Sequence, residues 1–188
     1  MKHLILFTIL ALSACRTETV ATPDPVPMTA GSIGHFCQMN LLEHPGPKAQ
    51  IHLNGVIGPL FFSQVRDAIA YQRMPERDYD ILAIYVSDMD GADWENPGAD
   101  NWIDATGAVF VTGSAQQGGM GAAELIPFGT ESAARSFIAA HGGDMRRLDD
   151  IPTADILAPE PITDDTSPQD DNAGYADRLR QLNQQGGN

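Results

Sequence analysis

Two periods of apolar residues alternate along the middle of this chain. Ala49 to Leu53 alternates apolar and polar positions, as a half-buried strand does, and Asn54-Gly55 after it is a strong hairpin signal. Leu60-Phe61-Phe62 resumes the sheet. Ser63 then stands where a helix cap belongs, ahead of Val65, Ala68, Ile69 and Tyr71 at helical spacing, and the helix closes near Met74-Pro75. Ile81 to Val86 reads as a buried strand from its β-branched and aromatic content. Upstream, Phe36 to Leu41 reads as a strand that ends at the breakers of His44-Pro45-Gly46-Pro47.

The second half repeats this order. Asn101 to Ile103 and Ala108 to Thr112 bracket a turn at Ala105-Thr106-Gly107, and Glu124 to Phe128 reads as a strand. Thr130 caps a helix with Ala134, Phe137, Ile138 and His141 on one face, and Met145 to Leu148 closes the unit. Leu60-Phe61-Phe62-Ser63 and Ile126-Pro127-Phe128-Gly129-Thr130 occupy equivalent places. The expected fold class is therefore α+β, with two small tandem ββαβ lobes at 32–94 and 95–152.

The ends differ in composition from this middle. Residues 1–14 combine Lys2 with the uncharged run Leu4 to Leu12 and small Ser13-Ala14, the build of a secretory signal. The run is shorter than the roughly 20 apolar residues of a spanning helix. Cys15 follows directly and is the expected lipid attachment point. Residues 15–31, rich in Thr, Pro and Ala, read as a tether. Residues 153–188, with Asp164-Asp165, Asp170-Asp171 and a Gln/Asn/Gly-rich finish, read as a disordered acidic tail.

The formal net charge of −14 argues against nucleic acid, because little here neutralises phosphate. With Cys15 acylated, Cys37 is the sole thiol of the mature chain, so no internal disulfide can form. Its neighbour Met39 lies two positions away, and on a strand both sulfurs would face one side. Thiolate and thioether are soft donors that select Cu(I) over hard cations. On residue types alone, a core methionine beside a buried cysteine fits equally well. Met120, displayed among Gly118, Gly119 and Gly121, is the candidate third donor on a mobile arm. His44 is a weaker candidate, whereas His35 and His52 read as surface residues and Lys48 as one half of a surface salt bridge.

The lipidation segment, the stretch Phe36-Cys37-Gln38-Met39 through His44-Pro45-Gly46-Pro47-Lys48-Ala49-Gln50-Ile51, and Met120-Gly121-Ala122-Ala123-Glu124-Leu125-Ile126-Pro127-Phe128 together resemble the NosL family. The likeness runs over about residues 32–152. It implies a periplasmic Cu(I) chaperone that helps assemble the copper–sulfide centre of nitrous oxide reductase. It also implies Cys37, Met39 and Met120 as metal ligands, with the reductase or its membrane maturation complex as partner. The chain departs from the pattern at Gln38, where glycine is expected, and at Gly119, where proline is expected.

No enzyme signature stands out: there is no nucleophile elbow, phosphate-cradling loop or His-Glu-x-x-His. A ββαβ lobe with one thiol loosely resembles the organomercurial lyases, which need more than one. The expectation is a non-enzymatic, monomeric, lipid-anchored protein on the periplasmic face. Arg16 after Cys15, in place of an inner-membrane retention aspartate, favours the outer membrane. The alternative is a metal-free lipoprotein that acts as an assembly or binding module.

Overall fold

A computed structural model describes residues 21–157. Cys15, the signal segment and residues 158–188 of the acidic tail lie outside the described residues. Seven strands and three helices follow in the order β1 (Ala49–Leu53), β2 (Leu60–Phe62), α1 (Val65–Arg73), β3 (Ile81–Ser87), β4 (Trp102–Asp104), β5 (Val109–Thr112), β6 (Ile126–Phe128), α2 (Glu131–His141), β7 (Asp144–Arg146) and α3 (Thr153–Leu157).

They form two antiparallel sheets, β2-β1-β3-β4 and β6-β5-β7. The predicted repeat is present. β1-β2-α1-β3 and β5-β6-α2-β7 have the same order, with the first strand of each unit at the centre. Register supports the equivalence: Ala49 faces Phe62 in the first pair and Val109 faces Phe128 in the second.

The lobes share a wall. Val109 and Val111 pack into one apolar cluster with Ile126, Phe128 and Ala134. Phe110, between them, packs into the other with Ile51, Phe62, Val65, Ile69 and Val86. Side chains alternate across a strand, so β5 is buried on both faces and joins the two cores.

Three expectations are corrected. Residues 36–41 are not a strand: they form a tight turn followed by a short 3-10 helix, Leu41–Glu43. The strand near 101–103 pairs with β3, so it extends the first sheet instead of opening the second lobe. The hairpin signalled by Asn54-Gly55 is present, β1 and β2 pairing antiparallel across a loop in which Val56 N–H donates to Leu53 O at 3.3 Å. Ser63 caps nothing. The N-cap of α1 is Gln64, which makes no capping bond of its own.

The fold also reaches into both expected extensions. Val26 N–H donates to Gln50 Oε1 at 2.8 Å and Gln50 Nε2 returns a bond to Val26 O at 3.0 Å, so the Gln50 side-chain amide holds the backbone of residue 26 to β1. Met28, two residues further on, is buried as well. This cover explains why β1 is buried along its whole length and why His52, expected at the surface, is not there. At the other end α3 buries Ile156, and the Arg73 guanidinium donates to Leu148 O, Ile151 O and Thr153 Oγ1. The 153–157 part of the tail therefore belongs to the packed body.

Candidate metal site

Cys37 and Met39 belong to a turn attached to the free edge of β2. Ile33 bridges Asn40, Gly34 bridges Phe61, and His35 N–H donates to Phe61 O at 2.6 Å. Within the turn, Gly34 N–H donates to Met39 O and Gln38 N–H to Gly34 O, each at 2.9 Å. The same-face argument for a strand therefore does not apply. The turn instead wraps Cys37 and Met39 around Gly34, where Cys37 Sγ fills the space a Cβ would take. A side chain at position 34 would collide with the sulfur.

Gln38 stands at φ +57°, the one non-glycine in the left-handed region among the described residues. That is the physical reason glycine is expected there. Its side chain compensates by donating from Nε2 to His35 O at 2.7 Å. An aromatic brace supports the turn: Phe36 lies 5.4 Å from the Phe62 ring, and His35 lies 5.6 Å from the rings of both Phe62 and Tyr71. His35 is thus exposed but engaged in packing.

Met120 is not on a free arm. Gln117 bridges Ala123, Gly118 N–H donates to Ala122 O at 2.8 Å, and Gly121 N–H donates to Gly118 O at 2.9 Å. Met120 is the third residue of that β-turn, at the tip of a small hairpin. The hairpin rests on the turn that follows the 3-10 helix. A Cβ on Gly119 would lie 2.5 Å from Pro45 O and 3.0 Å from His44 Cβ. Such contact leaves no room for a ring at 119, which accounts for the missing proline. Met39 and Met120 are both about 40% exposed (38% and 43%), whereas Cys37 is partly covered. His44 is partly buried, and its Nε2 has no hydrogen-bond partner among the described residues.

Beneath the hairpin and the Pro45-Gly46 turn it rests on lie two charged residues whose roles the sequence reading missed. Lys48 is buried, not paired at the surface, and its Nζ donates to Pro45 O at 2.9 Å and to Gly46 O. Burial pushes its pKa down to about 8, with the Glu124 carboxyl opposing the shift. Glu124 precedes β6 and is fully enclosed. Its Oε1 accepts from Arg66 N–H at 3.0 Å and from Leu125 N–H at 2.8 Å. Burial raises its pKa to about 8, against the pull of those two backbone N–H groups and of Lys48. The signal for Glu124 was its place inside the apolar run Ala122 to Phe128; Lys48, beside a strand that alternates as a half-buried one does, carried none.

Tandem ββαβ lobes with a thiol and two thioethers on surface turns define a two-lobed α+β protein that presents soft donors. The family model for NosL matches residues 25–156. The chain is 50% identical to the copper-binding lipoprotein NosL of Achromobacter cycloclastes over 181 residues, 95% of this chain and 93% of the relative. It is 32% identical to the copper-binding lipoprotein NosL of Stutzerimonas stutzeri over 146 residues, 76% of this chain and 75% of the relative. A crystal structure of the copper chaperone NosL from Shewanella denitrificans superposes with a TM-score of 0.66 at 30% identity, covering 72% of this chain and 99% of that one. The chain belongs to the NosL family.

Proposed function

We propose that this protein is a periplasmic, lipid-anchored carrier of Cu(I), with Cys37, Met39 and Met120 as the donors. The observation that carries this reading is the exposure of both thioethers on turns built to hold them, one wrapped around Gly34 with Cys37 and one at a hairpin tip. Core methionines would be buried. One thiolate neutralises Cu(I), and neutral thioethers complete a low-coordinate soft site. Donors near the surface let a partner replace them one at a time, so the ion passes on without becoming free.

The destination in this reading is the copper–sulfide centre of nitrous oxide reductase, reached directly or through a membrane maturation complex. Cys15 would tether the carrier to the periplasmic face of the outer membrane. The copper-binding and chaperone names of the relatives support carriage of copper in place of catalysis.

The test is an anaerobic Cu(I) titration of residues 16–188 against a competing chromophoric chelator, for wild type and for Cys37→Ala, Met39→Ala and Met120→Ala. One tight site, abolished by the cysteine change and weakened by each methionine change, is expected. A wild type that takes no copper from the chelator removes the carrier reading and leaves a metal-free binding module.

A further inference from the structure

We infer that Glu124 and Lys48 are positioning residues for Met120, acting from beneath its hairpin; the inference rests on Met120 being a copper donor. Two supports hold that hairpin, and each is fixed by one of these buried side chains. Under Gly118, a Cβ would lie 2.5 Å from Gln64 Nε2 and 2.7 Å from Glu124 Oε2. The Glu124 carboxyl is a wedge: Oε1 is locked on the backbone N–H groups of Arg66 and Leu125, while Oε2 faces the hairpin backbone. Gln64 Nε2 and Glu124 Oε2 have no hydrogen-bond partner among the described residues. Both side chains are more than nine-tenths buried.

Under Gly119 the support is Pro45 O, and Lys48 Nζ holds that carbonyl and the next one, Gly46 O. The hairpin thus rests on a carboxyl from its own lobe, anchored on Arg66 N–H of the first, and on a turn that an ammonium of the first lobe holds. Burying either group is costly unless its contacts return the energy, and an apolar pair would fill the space at less cost. What these two groups add is direction. They bind specific backbone atoms and so set the height and tilt of the turn that displays Met120. Partners behind a metal ligand commonly change metal affinity by about 10–100-fold.

The experiment is a double-mutant cycle on Cu(I) affinity, pairing Glu124→Ala and Lys48→Met each with Met120→Ala. Each support variant is expected to weaken Cu(I) binding about tenfold or more when Met120 is present. Little further loss is expected once Met120 is gone. Copper-edge X-ray absorption should show one fewer sulfur neighbour in the support variants, as in Met120→Ala. Glu124→Gln, which keeps an acceptor for Arg66 and Leu125, should lose least, and it carries the test if Glu124→Ala does not fold. Equal losses with and without Met120 would overturn the inference, since they mark general softening of the fold. If wild type takes up no copper, the carrier reading fails instead. Amide exchange at Gly118 and Gly121 then decides: faster exchange in Glu124→Gln and Lys48→Met sustains the positioning role, and unchanged exchange removes it.

Discussion

In the first lobe the N-terminus of α1 is closed by Glu124, a side chain that lies 58 residues further along the chain. In the second lobe Thr130 closes α2 by itself, its Oγ1 accepting from Ala133 N–H at 3.2 Å. The buried faces differ as well. α1 buries Val65, Ala68 and Ile69, whereas α2 buries Ala134. The same ββαβ plan thus yields one helix that depends on its neighbour and one that is locally complete. The dependent helix is the one that packs Tyr71 against the aromatic brace of the Cys37 turn. Coupling between the lobes therefore runs through the Glu124 cap of α1 as well as through β5.

The largest expected separation between the lobes comes from their equivalent phenylalanines. Phe62→Ala and Phe128→Ala should each cost about 3–5 kcal/mol of unfolding free energy. Phe62 lies against His35, Phe36 and Tyr71, whereas Phe128 lies against Phe137. Phe62→Ala should therefore also weaken Cu(I) uptake, and Phe128→Ala should spare it. Denaturant unfolding and the chelator titration, run on the same samples, decide; equal effects on copper would erase the asymmetry.

A smaller separation is expected in pH dependence. The folded pKa of Glu124, about 8, lies above its ordinary 4.5, so the native state holds a proton that the unfolded chain releases. Its contribution is fully present below about pH 4.5 and is lost as pH rises through 8. Lys48, lowered from 10.5 to about 8, acts with the opposite sign and in a higher window: stability recovers between 8 and 10.5. Urea midpoints from pH 5 to 8 should fall more steeply for wild type than for Glu124→Gln. Parallel lines would mean that the carboxyl is not held neutral.

The smallest effect concerns the caps. Thr130→Ala should cost about 1 kcal/mol. Ser63→Ala, at the position that resembles a cap by sequence, should be close to neutral, because the Ser63 hydroxyl makes no hydrogen bond among the described residues. A Ser63 cost matching that of Thr130 would restore the symmetry of the two helices.

Legibility followed the range of the interactions. The ββαβ order, the equivalence of Leu60–Phe62 with Ile126–Phe128 and the Thr130 cap were readable, because strand alternation, helical spacing and capping act within a few residues. The segment 36–41 misled: its apolar content resembles a strand, yet Gly34 and the left-handed Gln38 fold it into a turn. β4 misled because strand pairing is chosen by the partner edge, and β3 offered one.

By itself, then, the sequence determined the two-lobed α+β plan, the family and the soft-donor candidates Cys37, Met39 and Met120. The tertiary structure decided which lobe owns β4, that the segments around 26 and 156 join the core, and that Glu124 is buried beneath the Met120 hairpin and Lys48 beneath the Pro45-Gly46 turn it rests on. Local patterns record which face of an element is apolar. They do not record what covers the polar face, and Gln50, His52 and Glu124 each meet a segment distant in the chain, at Val26, Tyr85 and Arg66.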